Sequence, residues 1–203
     1  MSGGVTSFKP ARLLCSGGFY QSLLLSTAII VLPSVAIMPV RAQSVSPQPQ
    51  CSINGSTVTC SGDLSVGANI QGGAGGAYTN LIIENVTTNI TPSFFLPGIL
   101  FESNGDITIN SDTGDFIIST DGRNAIEVDP DGGDVSLTHT GGIQTISQYA
   151  SGVEVRDADA VTITHTGDIT TDGYYSRGIE AVLSEEITIT HTGDIATTGN
   201  MYA

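Results

Sequence analysis

Around Val161 the chain alternates strictly between apolar and hydroxyl residues, with Val161 and Ile163 on one side and Thr162 and Thr164 on the other. A period of two marks a strand with one buried face, and no helix satisfies it. The alternation also recurs in longer words. Val161-Thr-Ile-Thr-His-Thr-Gly-Asp-Ile169 returns at Ile187 as Ile-Thr-Ile-Thr-His-Thr-Gly-Asp-Ile, and Val135-Ser-Leu-Thr-His-Thr-Gly-Gly-Ile143 precedes it, each at an offset of 26 residues. Weaker copies start at Ile107 and, 26 residues earlier, at Leu81. A second column, Ile99, Ile126, Val153 and Ile179, is spaced by 27, 27 and 26 residues. A third is the turn in Gly114-Asp-Phe116, Gly141-Gly-Ile143, Gly167-Asp-Ile169 and Gly193-Asp-Ile195.

Each unit therefore offers about three short strands joined by Gly, Asp and Asn turns, too little to bury a core alone, so successive units must stack. Identical residues at one offset favour parallel stacking at about 4.8 Å, whereas a β-sandwich would need antiparallel hairpins. The expected fold is all-β: a right-handed parallel β-helix of 26-residue rungs over 81–203, its hand taken from the general preference of parallel crossovers. The unit is longer than a hexapeptide coil, and no calcium-binding glycine-rich nonapeptide recurs.

Two segments precede the repeat. Residues 1–42 read as a signal peptide: Lys9 and Arg12 lie before an apolar stretch from Leu23 to Met38, and Val40-Arg41-Ala42 is a small-residue cleavage site, which places the cut between Ala42 and Gln43. That stretch is shorter than the roughly 20 residues a spanning helix needs. Residues 43–80 are expected to cap the first rung and hide its unpaired edge. They contain Cys51 and Cys60. A Gly55-Ser56 turn would set these two opposite each other, whereas an Asn54-Gly55 turn would set Cys51 across from Val58. The oxidising compartment beyond the inner membrane favours a disulfide, and hence the first register. At the other end, Ala203 falls in the column of Arg177, so the repeat is expected to be truncated in mid-rung.

Loss of the leader leaves three arginines and no lysine against 20 acidic residues, a net charge of −17. Nucleic acid and anionic lipid are poor partners for that charge. His139, His165 and His191 share one column and one strand face with Val161 and Ile163, which predicts a stacked ladder bonded to threonine or backbone groups. Parallel imidazoles do not converge as a tetrahedral metal site requires, so no metal is expected there. Glu127, Glu154 and Glu180 form an acidic column expected to face solvent, with calcium as the alternative reading. Asp129-Pro-Asp-Gly-Gly-Asp134 lacks the spacing of an EF-hand loop and reads as a turn, and Gly72 to Ala77 lacks the context of a nucleotide loop. No catalytic residue and no cofactor-binding residue stand out.

Rungs of the form Ile-Thr-Ile-Thr-His-Thr-Gly-Asp-Ile followed by Ser-Arg-Gly-Ile-Glu-Ala, behind a leader of 42 residues, resemble the passenger domains of bacterial autotransporters over residues 81–203. The resemblance implies an N-terminal fragment of a passenger at the surface of a Gram-negative bacterium or released from it, and periplasmic if no barrel follows. It further implies an outer-membrane translocation barrel as partner, for which no strand pattern is present in this sequence. The expected role is a structural or adhesive scaffold for a host or extracellular surface ligand, without enzymatic activity or small-molecule cofactor. The rival is a carbohydrate-active β-helix enzyme, a polysaccharide lyase or glycosidase, whose site would lie outside this fragment.

Overall fold

In the computed structural model, which describes residues 50–71 and 78–199, the repeated words become parallel strands laid copy upon copy. The strands are β1 (Cys51–Asn54), β2 (Thr57–Gly62), β3 (Ala68–Gln71), β4 (Asn80–Val86), β5 (Ile99–Glu102), β6 (Ile107–Thr120), β7 (Ile126–Asp129), β8 (Val135–Thr145), β9 (Val153–Arg156), β10 (Ala160–Thr166), β11 (Ile169–Thr171), β12 (Ile179–Val182), β13 (Glu186–Thr192) and β14 (Ile195–Thr197). None of the described residues is helical, and the coils form a parallel β-solenoid of about five turns.

One sheet runs β1-β2-β4-β6-β8-β10-β13 and also carries β11 and β14, while the other runs β12-β9-β7-β5-β3. Val161 lies beside Val135 and Ile187, and His165 beside His139 and His191, all in parallel register. Alternation then sends the apolar set inward. Leu81, Ile109, Leu137 and Ile163 form one buried column, and Phe101, Val128 and Val155 another. Glycine holds the corners between β10 and β11 and between β13 and β14 because the coils pass very close there. A Cβ on Gly167 would collide with the Gly141 carbonyl one coil earlier, and one on Gly193 with the Gly167 carbonyl.

The second column pairs as its spacing predicts, Ile99 with Ile126, Ile126 with Val153 and Val153 with Ile179. The upstream copies depart from theirs. Leu81 pairs with Ile109 rather than Ile107, a slip of two residues, which leaves the same side chains facing inward. In the turn column Ile118, not Phe116, pairs with Ile143, because β6 carries four residues, Thr113 to Phe116, between Asp112 and Ile117 where β8 carries Gly141 alone.

Stacking also begins earlier than residue 81. β2 pairs in parallel with β4, and β3 with β5, so residues 57–71 already form coil inside the segment expected to be cap. Capping of the edge falls to β1, which folds back antiparallel on β2. The turn is Gly55-Ser56, with Gly55 at φ +61°, and it sets Cys51 opposite Cys60. The two cysteines are joined in a disulfide. Closing so short a loop contributes about 2.6 kcal/mol in the chain-entropy picture. The double variant Cys51→Ser/Cys60→Ser should therefore melt several degrees lower; a melting temperature equal to the parent's would show that the hairpin holds without the bond. The signal peptide, its cleavage point at Ala42 and Gln43, and Gly72 to Ala77 lie outside the described residues.

Candidate functional site

The histidine column runs through the interior of the solenoid. It continues the inward positions Cys60, Ile83 and Ser111, and His139 and His165 are as fully buried as the isoleucines around them. Ring centroids lie 5.3 Å apart between His139 and His165 and 5.1 Å apart between His165 and His191. His139 Nδ1 meets the Ser111 hydroxyl at 3.0 Å, and His165 Nδ1 meets His191 Nδ1 at 3.1 Å. The partners are thus a serine, a neighbouring ring and, for His165, the Gly141 backbone; backbone was expected, while serine stands where threonine was expected. The three Nε2 atoms are buried without a hydrogen-bond partner. Burial, and then the neighbouring His165, lowers the His139 pKa to about 3; burial and His191 lower that of His165 to about 4. At neutral pH both are therefore uncharged rings in an apolar column. Among the described residues no three His, Cys, Asp or Glu side chains converge on a point that could hold a metal ion.

The glutamate column differs from its expectation. Glu127, Glu154 and Glu180 do lie side by side on neighbouring coils, pointing away from the core. Yet Glu127 and Glu154 are each only 6% exposed, so they do not form a solvated acidic face. The cover is the loop that precedes each strand and the arginine that follows Glu154. Arg123 reaches both oxygens of Glu127 at 2.8 Å, Arg156 grips Glu154 through Nε and one amino group, and Arg177 pairs with Glu180. Asn124 bridges Glu127 and Glu154 through its amide group. All three arginines beyond residue 42 are thus spent on this ladder. Carboxylates held in this way are structural ion pairs and leave little oxygen free to act on a substrate.

The acidic turn folds as a turn: Asp131 N–H donates to the Asp129 carboxylate at 3.1 Å, with Asp131 at φ +51° and Gly132 at φ +90°. Glu102, Asp129, Asp131 and Asp157 line a cleft of about 350 Å³ beside it. Burial, and then the Asp129 and Glu127 carboxylates, push the Glu102 pKa up. No family model, curated protein or solved structure matches this chain. Function must therefore be read from the surface itself.

Two further surface features stand out, of which the sequence reading missed the first. The first is an aromatic corner. Phe94-Phe95, Gln148-Tyr149 and Tyr174-Tyr175 occupy equivalent loop tips, and Phe95, Tyr149 and Tyr175 all take left-handed φ values of 67°, 63° and 63°. Tyr149 stacks on Tyr175 at 5.3 Å, and Phe95 and Tyr149 are 64% and 66% exposed. The coil between them carries Gly122 at the same position, four residues before its strand, and Phe94 and Phe95 lean over it. The second feature is the outward face of β8, β10 and β13, where exposed threonines line up from coil to coil.

Proposed function

We propose that this chain is an exported, autotransporter-like passenger solenoid that serves as a rigid adhesive scaffold. The observation that carries this reading is the aromatic corner: large rings, stacked along the coil axis and left exposed, are the composition of a contact surface rather than of a solvated one. The solenoid supports the same reading, because each coil adds another copy of every outward column and many weak contacts then act together. The Cys51–Cys60 bond agrees with an oxidising compartment. The buried glutamates favour scaffold over enzyme, since arginine and asparagine already occupy their oxygens.

The test is expression of the full chain, with a C-terminal epitope tag, in a Gram-negative host. The expected product begins at Gln43, carries the disulfide and lies outside the inner membrane. Immobilised on beads, it should capture fixed cells or matrix, and Tyr149→Ser/Phe95→Ser should weaken capture. An uncleaved, reduced protein in the cytoplasm would defeat the export reading, and capture unaffected by the two substitutions would defeat the adhesive one.

A further inference from the structure

On β10, Thr162, Thr164 and Thr166 face outward, because Val161, Ile163 and His165 take the inward positions. Parallel register puts Thr188, Thr190 and Thr192 of β13 directly beside them, one coil later. One coil earlier, Ser136, Thr138 and Thr140 of β8 complete the rows. All of these positions are exposed, and the pairing runs through them without a shift.

The result is a grid of hydroxyls, three by three. Its pitch follows from strand geometry: about 4.8 Å between coils and about 6.6 Å along each strand. Threonine adds a further restraint, since its β-branch limits χ1 and holds hydroxyl and methyl in nearly the same place from coil to coil. Chemistry narrows what such a face can recognise. The chain carries 20 acidic residues and a net charge of −14, yet none of those acids falls within the grid. Exposed carboxylates border it: Asp112 beside Thr140, Asp134 and Glu186 just before the first row, and Asp168 and Asp194 just after the last. Within that acidic border the nine hydroxyls are uncharged, and identical groups repeating in two directions match a partner that repeats in two directions as well.

We propose that this face binds ice. Water oxygens on the prism face of hexagonal ice repeat in two directions at distances close to those of the grid. The hydroxyls replace lattice hydrogen bonds while the methyl groups order the water between them, so adsorption is the sum of many weak, simultaneous contacts. The inference stands independently of export and of the aromatic corner, because it uses a different ladder of the solenoid.

Thermal hysteresis and ice-crystal shape, observed by nanolitre osmometry on the oxidised full chain, test it directly. The parent is expected to open a gap between melting and freezing and to facet the growing crystal. Thr164→Tyr, at the centre of the grid, should lose most of the gap. Gln144→Tyr, exposed on the neighbouring ladder, should keep it. Melting curves confirm that both variants are folded, as expected for outward substitutions. Round, unshaped crystals with the folded parent overturn the proposal, as does hysteresis in Thr164→Tyr equal to the parent's.

Discussion

Acidifying the folded chain from about pH 7 to about pH 4.5 should lower its melting temperature by roughly 10 °C, with the histidine column as the cause. Burial holds His139 at about 3 and His165 at about 4, against the ordinary value of 6.5. With folded values depressed, the unfolded chain takes up protons first. The stability is fully present above pH 6.5 and drains away as the pH falls toward 4 and then 3. The groups facing the column are few. Ser111 and the Gly141 backbone meet His139 and His165, and Asp168 is the charge that opposes the shift at His165. Two histidines kept neutral some two pH units below their unfolded value contribute a few kcal/mol between them. Replacing all three with leucine should flatten the dependence, since Ile83 already occupies the same inward column. An unchanged slope of melting temperature against pH in that variant would clear the histidines and shift attention to the carboxylates.

Arg156→Met should destabilise the chain by about 3 kcal/mol, because it leaves the Glu154 carboxylate buried without its guanidinium. The figure is at the low end for a buried pair, since the Arg156 side chain is itself 45% exposed and partly screened. Glu127 loses a second, longer contact at 3.9 Å in the same variant. Combining Arg156→Met with Glu154→Gln should recover most of the loss, since the buried group is then uncharged and still bonded by Asn124. Urea titrations of the two single variants and the double measure the coupling directly. Additive losses would mean that Arg156 acts through packing of its stem and not through the ion pair.

The parallel stacking could be read from the chain because the words at 135, 161 and 187 are nearly identical, and identical residues stack best in register. The hairpin at Cys51 was legible as a choice between two turns, of which the two-residue loop at Gly55 is the one adopted. The first coil was hidden for a physical reason. Strand β2 serves both as the hairpin partner of β1 and as the first parallel rung, and its Thr57-Val-Thr-Cys60 shares only the alternation of the later copies. Burial of Glu127 and Glu154 could not be read from strand period, which places them outward correctly but says nothing of what lies over them. Their cover comes from Arg123 and Asn124 in an irregular loop and from Arg156 of the same strand and the coil that follows Glu127. The aromatic corner stayed hidden because its loop tips align only when counted back from each following strand, and Gly122 interrupts the series.

The disulfide-closed hairpin at one edge has a kinetic consequence. Once β1 and β2 have paired, they present a finished template. Every later strand can add to it by closing a loop of about one repeat, so the entropic cost of each step stays constant however tall the stack becomes. Growth outward from that edge would then be no slower for the last coil than for the first.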